Sequence, residues 1–369
     1  MQKTAGSVGT ESRCEVIKIA IDMHARLWVA ARQLDSATPQ PPQSFAPRKC
    51  MEFIARQVKL ARRVVCCYEA GCFGYGPQRE IAALGAECLV IAPRDWDPQK
   101  KNVRTDKTDT REMVQCLDRY VAGNRKALAV VRVPSLEEEV RRSRVRQRRQ
   151  LLGDRNRWAN FGRSLLMHYG LPASWSWWKL DRWETTRKNV EKAMGEHAGE
   201  LLKMLEDYLE MLLAVSEKLA ALTGEQVKRQ KERSARARTI RLRGIGELSM
   251  AVIESEVADW KRFSNRRQVS SYTGLCPGVV GTGGQFMNLS VNKCGNRRLR
   301  SALVELAWLL PRYQPRYLPL RRWKKVLSAG CRSARKKAIV ALARRLAVDL
   351  WRIYTGRTTP QKLGLILAA

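Results

Sequence analysis

The sequence predicts an α/β domain at its N-terminal end, then a long helical region, then a basic and mostly helical C-terminal region. Three observations carry this. Between residues 16 and 133, short apolar runs of strand length alternate with helix-patterned stretches. Ser135-Leu-Glu-Glu138 is a capping box, and the leucines beyond it recur mostly at helical spacings of three and four. Beyond residue 241, helical patterns are separated by Gly-rich segments. A chain of 369 residues suits two or three domains, at about 100–200 residues each. The divisions are a polar tail at 1–15, an α/β domain at 16–133, a helical region at 134–240 and a C-terminal domain at 241–369.

In the first domain, residues 16–21 form a buried-strand run that ends on Asp22, and residues 27–32 follow as a second run. Residues 34–47, rich in Pro, Ser and Gln, read as a loop, and residues 50–61 fit a helix. Residues 64–68 are a strand ending on Glu69, residues 78–84 a helix, and residues 88–91 a strand closed by Pro93. After a basic polar stretch at 95–104, a helix runs from Asp106 to Val121, and residues 127–133 read as a last strand.

The helix opened by the capping box carries Arg141, Arg142, Arg144, Arg146, Arg148 and Arg149. The chain breaks around Pro172, near Trp175, Trp177, Trp178 and Trp183. A second long helix follows, with Leu202, Leu205, Leu209, Leu212, Leu219 and Leu222 as a seam for a helical hairpin or an intersubunit coiled coil. In the last region Gly244-Ile-Gly246 precedes a helix, Gly-rich loops follow at 274–284 and 295–296, and an amphipathic helix spans 334–354.

Lys plus Arg total 69 against 35 acids, a net charge of +34. Such a surplus speaks against a small-molecule enzyme and for a polyanionic partner, nucleic acid before an anionic membrane. A hydrophobic share of 44% argues against a mostly disordered chain. There is no run of about 18 apolar residues to span a bilayer, and the polar tail has no apolar core of the signal-peptide kind. A cytoplasmic, nucleoid-associated protein is expected. The ten cysteines form no C-x-x-C pair and read as reduced thiols in the core. His24, His168 and His197 are far apart in sequence, so a zinc site of His and Cys is not expected.

Four acids form the first constellation. Asp22 and Glu69 each end an apolar strand, and Asp106 and Asp109, three apart at a helix start, share a face. Singly, each reads as a helix-start or loop acid. Together at converging strand ends they would repel unless divalent cations held them, and two Mg²⁺ ions can align a phosphodiester displacement.

The segments Ile21-Asp22, Tyr68-Glu-Ala-Gly71 and Thr105-Asp-Lys-Thr-Asp109 resemble the DEDD motif of Piv-type transposases of insertion sequences. The C-terminal stretches Arg243-Gly-Ile-Gly246, Ser271-Tyr-Thr-Gly-Leu-Cys-Pro277 and Lys293-Cys-Gly-Asn-Arg-Arg-Leu-Arg300 resemble that family's second domain, in the same order. The resemblance implies a RuvC-like (ribonuclease H-like) first domain, a coiled-coil insertion and a C-terminal transposase domain. It implies a DNA recombinase guided by a structured bridge RNA. It also implies a metal centre of Asp22, Glu69, Asp106 and Asp109, working with a hydroxyl of the second domain that becomes covalently joined to DNA. The family's nucleophile is a serine five residues past the Gly-Leu-Cys-Pro proline, and here that position is Thr282. Threonine keeps the hydroxyl and adds a methyl that crowds attack at phosphorus. A turn role among glycines is the other reading of Thr282, and Ser270, Ser271 and Ser290 are the reserve nucleophiles.

Six like charges within nine residues are too dense for one helical stripe, and uncompensated they repel. The arginine run at 141–149 therefore reads as a phosphate contact on RNA or DNA, against a merely solvated face. The Trp cluster reads as a hydrophobic anchor of the helical hairpin before a base-stacking platform. Gly244 and Gly246 resemble a helix-hairpin-helix turn whose amides hold a phosphate, with a tight interhelix turn as the alternative. Lys293, Arg297, Arg298 and Arg300 are candidate clamps for the scissile phosphate.

Two other functions stay open: a RuvC-like nuclease in which the acids activate water and Thr282 is idle, and a non-catalytic nucleic-acid-binding protein. Covalent adducts exclude the first, and loss of function in Asp22→Asn excludes the second. Recombining two duplexes needs several active sites, so a dimer or tetramer is expected.

Overall fold

The computed structural model describes residues 14–94, 96, 105–236, 240–282 and 285–368, leaving out the side chains of residues 236, 282, 286 and 288. Most of the polar tail and of the basic stretch 95–104 lies outside the described residues. The chain divides into two compact units, Met1–Pro134 and Ser135–Ala369.

The first unit is α/β. Its strands are β1 (Cys14–Met23), β2 (Trp28–Leu34), β3 (Gln43–Phe45), β4 (Ala61–Glu69) and β5 (Glu87–Ile91). They lie in the order β3-β2-β1-β4-β5, with β2 antiparallel to β1 and β3, and β4 parallel to β1 and β5. The two-residue period of β1 assigns its faces. Ile17, Ile19 and Ile21 pack with Cys50, Phe53 and Ile54 of α1 (Pro47–Leu60) and Ile81 of α2 (Gly76–Ala83). On the other face Ala20 packs with Ala31, Cys67 and the Met113, Val114 and Leu117 side chains of α3 (Asp106–Val121). The buried Lys18 points to this second face and pairs with Asp118 of α3 at 2.6 Å, which staples α3 to the central strand.

Two expectations need correction. Residues 43–45, inside the expected loop, form the edge strand β3 on Trp28–Ala30 of β2. Its Gln-Ser-Phe sequence has no apolar alternation to reveal it. Residues 127–133 are not a strand. Val130 alone bridges, to Ile91. Its bonding to the sheet stops at the two hydrogen bonds that flank this bridge, from the Ala92 amide to the Ala129 carbonyl and from the Val131 amide to the Val90 carbonyl.

The second unit is mostly helical. Ser135 caps α4 (Leu136–His168) as expected: its hydroxyl accepts from the Glu138 amide, and the Glu138 carboxylate accepts from the Ser135 amide. The second long helix, which carries the leucine seam, is α6 (Ala198–Arg236), preceded by α5 (Leu180–Met194) and a short turn at Gly195–His197. Leu201, Leu202, Leu205 and Leu212 pack against Ala159 and Leu166 of α4, so the leucine seam closes an intramolecular hairpin. Trp177 is its plug. The indole is fully buried and donates to the Ala159 carbonyl at 2.8 Å. It lies so close over Gly162 that a Cβ there would meet the ring at 2.0 Å. The remaining helices, α7 (Glu247–Val257), α8 (Arg266–Thr273), α9 (Arg297–Tyr313), α10 (Leu318–Ala329) and α11 (Arg332–Tyr354), share one core. Ile339, Leu342, Leu346, Leu350 and Ile353 of α11 line it, as the amphipathic pattern predicts.

Within the Gly-rich loop expected at 274–284, Pro277–Thr282 instead forms a strand, β6, paired with β7 (Gln285–Val291) as a hairpin. Its strand signal is only Val279-Val280 among glycines, and pairing with β7 supplies the rest. Among the described residues, no helix is long and apolar enough to cross a membrane.

Candidate active site

In the first unit the sheet sets two of the four acids side by side. Ile21 of β1 is in register with Tyr68 of the parallel β4, so Asp22 and Glu69 are the next residues on adjacent strands. Asp106 and Asp109 open α3, where the helix dipole favours anions. Thr105 fixes that start: its hydroxyl accepts from the Thr108 amide at 3.2 Å, and the Thr108 hydroxyl accepts from the Thr105 amide at 3.1 Å. Asp22, Asp106 and His24 offer ligand atoms that all lie within 4.8 Å of one another. His24 Nε2 stands 3.6 Å from the Asp22 carboxylate and 3.4 Å from that of Asp106.

The electrostatics register all four acids. Burial pushes the Asp22 carboxyl above its ordinary range, and the charges of Asp106 and Asp109 add to this, against the opposing effect of His24 and the Met23 amide. Burial likewise raises Glu69, with Asp22 and Asp109 adding, while hydrogen bonds oppose it. Those bonds come to its Oε1 from the Trp96 indole at 2.6 Å and from the Arg94 amide at 3.3 Å. Half-buried acids raised by burial and by neighbouring carboxylates, as Asp22 and Glu69 are, favour a proton or a cation beside them.

Sequence reasoning missed His24, Trp96 and Lys18. His24 had a signal, since it stands two residues past Asp22 at a strand end. Trp96 and Lys18 had none, because their partners Glu69 and Asp118 are far along the chain.

In the second unit the stretches Ser271–Pro277 and Lys293–Arg300 fold against each other. The Asn296 amide donates to the Tyr272 carbonyl at 2.7 Å, and the Asn292 amide donates to the Cys276 carbonyl at 2.9 Å. Gly295 is required by this approach: a Cβ there would meet the Gly274 nitrogen at 2.5 Å. Arg300 closes the contact by donating to the Thr273 and Lys293 carbonyls, both at 3.1 Å. These bonds hold both feet of the β6–β7 hairpin, whose β6 ends at Thr282 opposite Gln285. The Thr282 side chain and residues 283 and 284 lie outside the described residues. Of the reserve nucleophiles, Ser270 is buried, whereas Ser271 and Ser290 are exposed.

Glu256, unseen from the sequence, organises this region. It is fully buried at the end of α7. Arg146 of α4 donates to both its oxygens, at 3.1 and 3.0 Å, and the Asn296 amide group donates at 2.8 Å. The Tyr272 hydroxyl donates to its backbone carbonyl at 2.6 Å. Burial alone would raise the Glu256 carboxyl, but the hydrogen bonds from Arg146 and Asn296 and the charges of Arg146 and Arg142 bring it below its ordinary range.

The arginine run makes bonds within the fold, two of its members pairing with acids, Arg146 with Glu256 and Arg144 with Glu225. Besides these, Arg142 donates to the Ser255 carbonyl, Arg148 donates to Thr223 and Arg149 to Ser301. Arg141 has a buried Nε without a partner. Intramolecular bonds tie this face of α4 to α6, α7 and α9, which the helical spacing of the arginines could not reveal. Gly244, at φ +81°, carries its own structural demand, because a Cβ there would meet Tyr313 at 2.4 Å. Gly246 precedes α7, whose first residue Glu247 pairs with Arg241 at 2.7 Å. Lys293, Arg297 and Arg298 are exposed.

Comparison with known proteins gives a consistent picture. The family model of the IS116/IS110/IS902 transposases matches residues 237–319. A putative transposase of Sinorhizobium fredii, y4rJ, is 33% identical over 300 residues, covering 77% of this chain and 75% of that protein. A second from the same organism, y4qE, is 30% identical over 252 residues, 68% of this chain and 59% of its own length. The transposase for insertion sequence element IS1111A of Coxiella burnetii is 24% identical over 282 residues, 76% of this chain and 75% of that protein.

Proposed function

The chain belongs to the IS116/IS110/IS902 transposase family, and from that premise we propose that it cuts and rejoins insertion-sequence DNA through a covalent threonine–DNA intermediate. The observation that carries the reading is the meeting of Asp22 and Asp106 at one point, with Glu69 and Asp109 in their field. The strand order, an antiparallel meander followed by two parallel strands, supports a RuvC-like (ribonuclease H-like) first unit.

The donor set fits divalent cations of the Mg²⁺ type, since four carboxylates supply hard oxygen ligands at a place where Asp22 and Glu69 are held above their ordinary range by burial and neighbouring acids. Bound there in a two-metal arrangement, Mg²⁺ would stabilise charge on the attacking and leaving oxygens of the phosphodiester. Asp22, Glu69, Asp106 and Asp109 would hold the cations. His24 orients the carboxylates of Asp22 and Asp106. Trp96 fixes one oxygen of Glu69.

Thr282 supplies the hydroxyl. Its oxygen forms a bond to the scissile phosphorus while one deoxyribose–oxygen bond to that phosphorus breaks, and the hydroxyl proton ends on the departing deoxyribose oxygen. One phosphodiester replaces another, so religation needs no external energy source. Lys293, Arg297 and Arg298 clamp the phosphate. They stand at or just before the amide end of α9, where cations oppose the helix dipole and an anion would relieve them. A structured guide RNA selects the sites, and a dimer or tetramer supplies the active sites for two duplexes.

The test is a denaturing gel of the protein with labelled element-end DNA, Mg²⁺ and the flanking noncoding RNA. A protein–DNA adduct is expected with the unmodified chain and with Thr282→Ser, and none with Asp22→Asn or Thr282→Ala. Cleavage without an adduct would replace this mechanism by a hydrolytic nuclease, and adducts formed equally well without RNA would remove the guide.

A further inference from the structure

We propose that a groove in the second unit, lined by none of the four acids, Thr282 or the clamping cations but by the reserve nucleophiles Ser270 and Ser290, holds an unpaired DNA strand. It is an open cavity of about 1030 Å³ among α8, the feet of the β6–β7 hairpin, α10 and α11. Six basic side chains line it: Arg266 and Arg267 from the first turn of α8, and Lys336, Lys337, Arg344 and Arg345 from one face of α11. No acid lines it. The nearby Asp349 is fully buried and already engaged by Arg345 at 2.9 Å, Arg352 at 3.3 Å and the Tyr317 hydroxyl at 2.8 Å. Among the described residues, Arg266, Arg267, Lys336, Lys337 and Arg344 have no ion pair. This contrasts with the arginines of α4, which bond within the fold.

The floor of the groove is of another kind. Leu275, Leu289, Val340 and Val348 make it apolar, and the half-buried Trp323 stands in its wall. A DNA duplex keeps its bases inside and would offer this floor nothing. An unpaired strand offers phosphates to the basic rims and base faces to the apolar floor and the indole, the combination that single-strand sites use. Pro277, Leu289, Ser290 and Val291 also line the groove, so it runs along both feet of the hairpin that carries Thr282. Strand cleavage and exchange release unpaired DNA beside the attacking hydroxyl. The choice of DNA as occupant rests on the transposase reading above.

The test uses the full chain and fluorescence anisotropy with a labelled mixed-sequence oligodeoxynucleotide, its duplex and the RNA of the same sequence, across a salt series. One variant combines Lys336→Gln, Lys337→Gln and Arg344→Gln. A charge-matched control combines Arg321→Gln, Lys324→Gln and Lys325→Gln, which are exposed and outside the groove. For the single DNA strand, the groove variant should bind at least ~10-fold more weakly and lose about 2 from its log–log salt slope, at ~0.7 per phosphate contact. The control should change both by much less. Trp323→Leu should weaken the single strand ~5- to 100-fold while leaving the duplex unchanged, and 5-iodouracil in the strand should photocrosslink to Trp323. Equal losses in the groove variant and the control would overturn the proposal, as would a larger loss for duplex or for RNA than for the DNA strand. Adduct formation by the unmodified chain is scored separately. Adducts without a groove effect sink only the groove, and a groove effect without adducts sinks only the covalent mechanism.

Discussion

Two acidic centres in this chain have opposite electrostatics. In the first unit Asp22 and Glu69 sit with Asp106 and Asp109 and are pushed above the ordinary carboxylate range. In the second unit Glu256 is more deeply buried, yet Arg146 and Asn296 bring it below that range. Burial acts the same way on both, so the neighbours decide the difference. An acid neutralised by its own chain serves as a girder. Acids turned toward one another leave a charge for something outside the chain to satisfy.

The largest effect that would test this contrast is at the girder. Glu256→Ala removes the shared partner of Arg146 and Asn296; Arg146 is 39% exposed and can turn to water, so the change should cost about 2–4 kcal/mol of stability in the second unit, less than breaking a fully buried pair. Thermal unfolding checks it, and an unchanged transition would break the comparison. Gly295→Ala should act more gently. The new methyl meets the Gly274 nitrogen and the Ser271 and Tyr272 carbonyls, an overpacking worth about 1–3 kcal/mol. Because it pushes on the feet of the hairpin, adduct formation should fall further than the stability loss explains.

The smallest effect sharpens the other side. Asp22 and Glu69 have raised values in the folded chain, so the folded state holds protons that the unfolded state has lost. Stability in chelator therefore falls as pH rises from their ordinary values, 3.8 and 4.5, through their raised ones. It is level beyond. Both groups are partly solvated, so the change should be on the order of 1 °C in the first unit's melting temperature. Mg²⁺ should stabilise above that window and not below it, and Asp22→Asn should shrink the Mg²⁺ increment. An equal increment at every pH would place the cation elsewhere.

Much of this was legible in the sequence because it is local. Asp22 and Glu69 each end an apolar run, the Asp106–Asp109 helix start has its Thr cap, and the Ser135 box and the α11 stripe each lie within a few turns of chain. The hairpin at Pro277–Val291 was not legible, because Gly-rich strands carry little alternation and become strands only when paired. The expected strand at 127–133 failed for the converse reason: apolar residues were present, but their pairing with the sheet is confined to the bridge at Val130 and the two hydrogen bonds beside it. The partners of the arginine run, from Thr223 to Ser301, were not legible, because charge density is local in a sequence whereas those partners come from distant helices.

The sequence by itself determined the family, the order of the acids, the excess of positive charge and the periodicities that commit segments to helix or strand. These depend on residue type and on spacing within a few residues. Only the tertiary structure decided which charges are spent inside the fold and which are left for a partner. It put His24 between Asp22 and Asp106, gave Glu256 to Arg146, and left Lys336, Lys337 and Arg344 facing an open groove. The physical reason is that a charge's role is set by what lies within a few ångströms of it, and those neighbours come from distant parts of the chain.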